Sequence, residues 1–222
     1  MKGAAQAAPF SFSGTSIRHS LLDQLLIAAD EALRTLSGAV SPARPSPARA
    51  EPEGGERRIS AGLMRVNHSG EICAQALYSA QALFARDPKV RQALKDAAGE
   101  ERDHLAWCRG RLHELGSRPS ILDPLWYAGS FALGMASGVA GDRWSMGFLS
   151  ETEAQVERHL ERHLEKLPRD DYRSRAIVRQ MREDEARHGS MGRALGAAGL
   201  PQPVKAAMGI ASKVMTGTAY YV

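Results

Sequence analysis

Hydrophobic side chains recur with helical spacing along most of this chain. From Ile59 almost to the C-terminus, apolar positions return every three or four residues, and no segment alternates in the manner of a β-strand. Prolines and glycines divide this region into four long helices with short or medium connections, which predicts an all-α four-helix bundle. The predicted helices cover 59–86, 88–115 with Gly116 as C-cap, a third stretch ending at Leu167, and 172 to about 197.

The segments outside this bundle differ in character. Residues 17–36 predict an amphipathic N-terminal helix, whereas 37–56, with four prolines and three glycines, predict a mobile linker. The chain therefore divides into an N-terminal helix and Pro-rich linker (1–58), a bundle (59–200) and a C-terminal amphipathic segment (201–222) that packs on the bundle or on a membrane. The stripe of the N-terminal helix comprises Leu22, Leu25, Leu26, Ala29, Leu33 and Leu36.

An apolar insertion, residues 122–144, separates the second and third bundle helices. It has no charged residue from Leu125 to Ala140, a stretch shorter than the roughly 20 residues that span a bilayer. Two interpretations remain open. The insertion is a buried hairpin or helix whose glycines and serines allow close packing, or it is a helix that faces a membrane or a lipid substrate.

Composition narrows the class of protein. Of the 222 residues, 24% are charged and 43% hydrophobic, as in folded globular chains. The net charge of +4 suits nucleic acid or an anionic membrane surface, but no dense Lys/Arg cluster with interleaved aromatics favours nucleic acid. Cys73 and Cys108 form no metal or disulfide pattern and predict free thiols in a reducing compartment. The first 16 residues lack the compact apolar core of a secretory signal.

A glutamate and a histidine interrupt the apolar stripe of the second bundle helix. Glu101 and His104 lie three residues apart, on one helical face with Leu94 and Cys108. This spacing predicts that both point into the core. The neighbouring Glu100 shares another face with charged residues and is predicted to be more exposed. Those charged residues are Asp96, Asp103 and Arg111.

The same pattern occurs again, with single glutamates on the remaining two helices. Glu185 and His188 are three residues apart on an apolar face of the fourth helix, and Glu153 lies within the stripe of the third. Glu71 lies on a more polar stripe of the first helix. The chain therefore consists of two helix pairs, each with one Glu and one Glu-x-x-His.

Four carboxylates cannot be buried without compensation, because each unpaired one costs several kcal/mol. Two divalent ions would balance the four negative charges of the glutamates. Carboxylate and imidazole ligands together suit iron or manganese. This is the ligand arrangement of ferritin-like di-iron and di-manganese proteins. The alternative is that all six side chains are solvated or salt-bridged at the surface. The candidate ligands are Glu71, Glu101, His104, Glu153, Glu185 and His188.

Nearby groups are candidates for orienting the imidazoles. Asp184 and Glu100 each precede a candidate ligand and are placed to reach the histidine of the opposite pair, or else they are surface charges. His68, three residues before Glu71, either assists the site or is merely packed. Three further histidines are predicted at helix surfaces, and three aromatic residues in the core or at interfaces. These are His113, His159 and His163, and Tyr78, Trp107 and Trp126.

Several motifs together resemble the demethoxyubiquinone hydroxylases of ubiquinone biosynthesis. They are "LMRVNHSGEICAQALY", "EERDHLAWC", "LDPLWYAGSFALG", "DRWSMGFLSETEAQVERHL" and "DEARHG". The resemblance covers about 59–222 and fits the N-terminal helix too. It implies a ferritin-like fold and the same six residues as iron ligands. One departure is that Leu160 follows His159, where some members have a His-Tyr pair.

The resemblance also implies an activity: a di-iron monooxygenase with two Fe per chain that hydroxylates the ring of a polyprenylated demethoxyquinone. O2 would be the co-substrate and NADH the reductant, with no catalytic residue implied beyond the metal centre. An isoprenoid tail and the abundance of Arg over Lys favour a peripheral membrane protein on the cytoplasmic face of a bacterial inner membrane. Other ubiquinone-biosynthesis proteins or a second copy of the chain are candidate partners.

Two other functions stay open. A ferritin-like iron-storage or peroxide-scavenging protein would use the same ligands, although two lone cysteines cannot build a rubredoxin-type centre. A storage shell also has little use for the apolar 125–140 stretch. The other alternative is a non-enzymatic membrane or lipid-binding helical protein.

Overall fold

The computed structural model describes residues 20–48 and 56–222, where all regular structure is helical. The side chains of Leu21, Gln24 and Leu25 lie outside this description, as do the predictions for residues 1–19 and 49–55. The helices are α1 (Leu21–Ser37), α2 (Arg57–Phe84), α3 (Pro88–Glu114), α4 (Asp123–Val139), α5 (Asp142–Lys166), α6 (Tyr172–Ala194) and α7 (Gln202–Ala219).

Helices α2, α3, α5 and α6 form a ferritin-like four-helix bundle, in which α2 pairs with α3 and α5 with α6. The all-α fold predicted from the spacing is therefore confirmed. Local signals set the helix ends: the Asp87 side chain accepts from the Lys89 amide, and Asp171 accepts from Ser174. Gly116 adopts φ 69°, one residue past the C-cap Leu115.

The bundle core consists of two apolar clusters at different levels. One contains Met64, Cys108 and Leu160, and the other contains Leu94 and Leu149. The candidate ligands fall between these clusters along every bundle helix. The level between the clusters is therefore polar and buried.

The insertion is a single helix, α4, that packs mainly on α2. A Cβ on Gly134 would lie 2.7 Å from the Leu77 carbonyl oxygen, so the absence of a side chain allows the two helices to approach closely. The opposite side of α4 is apolar and open, with Leu125 60% and Leu133 50% exposed. The packing of α4 on α2 agrees with the first interpretation, and the second, a helix that faces a membrane or a lipid substrate, stays a prediction. Within the described ranges, no helix is long and apolar enough to cross a membrane.

Helix α1 leaves several leucines of its predicted stripe exposed and packs through other residues and Leu36. Leu26 and Leu33 are 59% and 69% exposed, while Ala28 is buried and Leu36 packs against a cluster shared by α2, α3 and α4. The prediction of a mobile linker is wrong for residues 38–48, because this segment is bound to α3 and α6 by hydrogen bonds.

Helix α7 lies against α2 and α5. The Arg65 guanidinium donates to the Tyr220 carbonyl at 2.7 Å, and the Lys205 ammonium lies 2.9 Å from Glu151. Ile210 and Val214 remain exposed on its outer side. The C-terminal segment thus contacts the bundle on one side and presents apolar side chains on the other.

We expect Gly134→Ala to destabilise the protein by about 1–3 kcal/mol, because the new methyl group meets the backbone of α2. Gly129→Ala in the same helix is the matched control, since a Cβ there meets nothing within 4 Å and Ala favours a helix by about 1 kcal/mol over Gly. Thermal unfolding measures both. An equal response of the two variants would contradict the proposed close approach.

Candidate metal centre

The six candidate ligands are all buried, between the two apolar clusters of the bundle. Each bundle helix contributes one or two of them, as the spacing of the sequence requires. Four of them, Glu71, Glu101, His104 and Glu185, each offer a donor atom within 4.8 Å of the others.

Glu101 and Glu185 lie between the two imidazoles. The His104 Nδ1 is 2.9 Å from Glu101 Oε2 and 3.3 Å from Glu185 Oε1. The His188 Nδ1 is 2.9 Å from Glu101 Oε1 and 3.2 Å from Glu185 Oε2. Each of these two carboxylates thus has one oxygen beside each histidine.

Glu71 and Glu153 occupy the two outer positions. Glu71 Oε2 lies 3.7 Å from His104 Nδ1. Glu153 neighbours Glu185 and accepts a hydrogen bond from the Tyr78 hydroxyl. Tyr78 is fully buried, edge-on to the His188 ring. Sequence reasoning placed Tyr78 in the core or at an interface but missed this contact, although Tyr78 follows Glu71 by seven residues on the same helical face.

Burial and neighbouring charges shift the pKa values of three of the glutamates. Burial and the charge of Glu101 raise the pKa of Glu71 well above its usual range, and burial and Glu185 do the same to the pKa of Glu153. Burial would also raise the pKa of Glu101, but His104 and His188 hold it well below that range.

The outward nitrogens of both histidines face further carboxylates. Asp184 Oδ2 is 2.9 Å from His104 Nε2, and Glu100 Oε2 is 3.4 Å from His188 Nε2. Each carboxylate therefore lies beside the histidine of the opposite pair. His68 instead lies 3.1 Å from Asp123 at the start of α4, and it makes no hydrogen bond or ion pair with a candidate ligand in the described ranges.

Some polar residues were wrongly expected at the surface. Asp103 is buried because backbone and side-chain donors of Arg44 reach it from the 38–48 segment. Arg111 is buried against Asp171. His163 is buried with its ring centroid 3.9 Å from that of His159, and burial lowers its pKa to about 2. No periodic signal in the Pro-rich segment indicates Arg44.

A cavity of about 470 Å³ reaches the carboxylate side of the centre. Glu71, Glu153 and Glu185 form part of its lining, and its walls are mostly apolar. The walls come from α2, α4, α5 and α7, and include Trp126, Leu133, Met208 and Met215. Cys73 also borders it, and burial raises the pKa of this thiol to about 12.

This donor set fits a metal site. Four carboxylates and two imidazoles converge, and the outward Nε2 of His104 has a carboxylate partner in Asp184, as metal-bound histidines usually have. The residues that would hold metal are Glu71, Glu101, His104, Glu153, Glu185 and His188.

Comparison with known proteins finds relatives that share one name and one family. The family model described as "Ubiquinone biosynthesis protein COQ7" matches residues 58–219. The chain is 57% identical to the 3-demethoxyubiquinol 3-hydroxylase of Chromobacterium violaceum over 206 residues, 91% of this chain and 100% of that protein. It is 56% identical to the enzyme of the same name from Nitrosomonas europaea, over 90% of this chain and 99% of that protein.

A third relative with that name, from Cupriavidus necator, is 57% identical over 90% of this chain and 99% of its own length. The resemblance inferred from the motifs is thereby confirmed, over nearly the range in which the motifs occur. With the matched range spanning the whole four-helix bundle, the chain belongs to the ubiquinone biosynthesis protein COQ7 family.

Proposed function

We propose that this protein is a di-iron monooxygenase that hydroxylates the ring of a polyprenylated demethoxyquinone during ubiquinone biosynthesis. The observation that carries the proposal is an apolar cavity lined by three glutamates of a buried cluster of four carboxylates and two imidazoles. The relatives are named 3-demethoxyubiquinol 3-hydroxylase, which supports hydroxylation of such a ring and names the substrate in its reduced, quinol form. O2 is the proposed co-substrate and NADH the proposed reductant.

The candidate ligands and their neighbours have separate roles in the proposed reaction. The six candidate ligands would hold two Fe per chain, and the iron would supply the redox chemistry that activates O2. Asp184 accepts from the outward nitrogen of His104, which fixes the ring with Nδ1 towards the glutamates. Tyr78 donates to Glu153 and restricts the rotation of that carboxylate.

The cavity walls bind and orient the organic substrate. Apolar side chains from α4 and α7 exclude water from the carboxylate face and favour a ring with a hydrocarbon tail. Cys73 borders the cavity as a neutral thiol, because its pKa is raised to about 12, and a neutral thiol is a weak nucleophile towards a quinone ring. This wall therefore tolerates an electrophilic substrate.

Iron storage is less well supported as the function. The same ligand set would serve a storage protein, but iron ions and peroxide have no use for a largely apolar cavity of about 470 Å³ at the carboxylates. A lipid-binding role without catalysis leaves the buried carboxylate cluster without a purpose. The cavity and the cluster together favour a hydroxylase.

Peripheral membrane association is part of the proposal. The two outer helices that border the cavity carry exposed apolar side chains, Leu125 and Leu133 on α4 and Ile210 and Val214 on α7. Such helices bind the interfacial region of a bilayer. A net charge of +4 adds attraction to anionic lipids, and we place the protein on the cytoplasmic face of a bacterial inner membrane.

The ligand assignment is tested with two alanine variants of neighbouring glutamates on α5. We expect Glu153→Ala to bind less iron than the unmodified chain and to lose hydroxylation of a demethoxyquinone supplied with NADH and O2. Glu151→Ala removes a carboxylate that pairs with Lys205 outside the cluster, and we expect it to keep both iron ions. Iron content and product mass measure the outcome; the reverse pattern would refute the assignment.

The cavity is tested by filling it from α7. Ala207 and Ala211 are both exposed on α7, but only Ala211 borders the cavity. We expect Ala211→Phe to lower kcat/KM for the quinone by about tenfold or more while the iron content stays the same, because the ring occupies substrate volume. Ala207→Phe should match the unmodified chain. Equal activity of both variants would exclude this cavity as the substrate site.

Membrane association is tested with vesicles of phosphatidylcholine and phosphatidylglycerol. We expect Ile210→Glu/Val214→Glu to reduce co-sedimentation strongly, because two charges replace exposed apolar side chains on α7. Gly110→Glu/His113→Glu adds two charges at exposed positions of α3 and serves as the control. If both double variants lose binding equally, general electrostatics rather than the α7 face governs association.

A further inference from the structure

The segment 38–48, which we call the strap, is fixed to α3 through one arginine and its neighbour. The backbone amides of Ala43 and Arg44 donate to Asp103 Oδ1 at 2.6 and 3.3 Å, and the Arg44 Nε donates to Asp103 Oδ2 at 2.6 Å. The Arg44 carbonyl accepts from the Trp107 indole at 3.2 Å, and its guanidinium lies over that ring. The strap is therefore bound by both backbone and side chain.

The same guanidinium also reaches α6. The Arg44 Nη1 donates to Asp184 Oδ2 at 2.9 Å, and this oxygen also lies 2.9 Å from the His104 Nε2. The other oxygen of Asp184 accepts from Gln180 and Arg187. Asp184 is buried, with 1% of its surface exposed, so its orientation depends on these donors. Arg44 is thus separated from the histidine by a single carboxylate oxygen.

We propose that Arg44 is a positioning residue for the half of the metal centre that contains His104; this rests on the proposed iron site. The planar guanidinium binds Asp103 with one edge and Asp184 with another, which a point charge cannot do equally well. Asp184, held in this way, keeps the imidazole turned so that its Nδ1 faces Glu101 and Glu185. The strap lies upstream of residues 58–219, which the family model matches.

The effect is larger on one half of the centre. The His188 Nε2 faces Glu100, which pairs with Arg187, and no residue of the strap makes a hydrogen bond or ion pair with His188 or Glu100 within the described ranges. Arg44 reaches that side only indirectly, through Asp184 and Arg187. We therefore expect loss of Arg44 to change the iron position of His104 more than that of His188.

The test uses the full chain reconstituted with 57Fe(II), with Mössbauer spectra and metal titrations as readouts. We expect Arg44→Gln to alter one of the two iron signals more than the other and to weaken one of the two binding steps by about 10-fold, the low end of the effect of losing a direct partner of a metal-bound histidine, because Asp184 stays in place. Arg44→Lys keeps the positive charge but lacks the planar guanidinium, and should retain part of the iron affinity that Arg44→Gln loses. Arg34→Gln removes an exposed arginine of α1 and should change nothing.

The readouts separate positioning from a purely structural role. A lower melting temperature of the Arg44→Gln protein with both iron signals unchanged would overturn the proposal, and so would equal changes in both signals. If Arg44→Gln does not fold, Asp103→Asn loosens the strap without touching Asp184 and must give the same unequal change. An unmodified chain that binds no iron refutes the proposed function itself, whereas two bound irons with an unaffected variant refute only the role of Arg44.

Discussion

Glu71, Glu101, Glu153 and Glu185 lie at the level of the bundle that separates its two apolar clusters, where mutual repulsion and lost hydration oppose the charged state. Neighbouring groups offset the free-energy cost of burying these carboxylates. The imidazoles of His104 and His188 contact the two inner carboxylates, and burial raises the pKa of the outer two well above their usual range. A bound metal would compensate the same negative charge.

The next layer outward compensates the histidines in turn. Asp184 accepts from the Nε2 of His104 and pairs with Arg44. Glu100 faces the Nε2 of His188 and pairs with Arg187. Charge therefore alternates in sign from the centre of the bundle to solvent. Arg44 and Arg187 thus form part of this charge pattern around the site. The net charge of +4 alone does not indicate such a role.

The helices and the inward glutamates could be predicted because both follow from a 3.6-residue period. Glu153 interrupts an otherwise apolar stripe, and that interruption is visible without any structure. Arg44 and the burial of Asp103 could not be predicted, because a Pro-rich segment has no period and its partners are about 60 residues away. The exposed leucines of α1 were unpredictable for another reason: a stripe does not identify what it faces, and here the smaller Ala28 packs inward.

The close contact of Gly134 with α2 has a consequence for how this protein can diverge. This contact holds α4, which lies outside the bundle, in position as one wall of the cavity. Helix α7 forms another wall. Neither helix supplies a candidate ligand. Under the proposed function, substitutions in these two helices would alter the length and shape of the hydrocarbon chain that the cavity accepts and would leave all six candidate ligands in place.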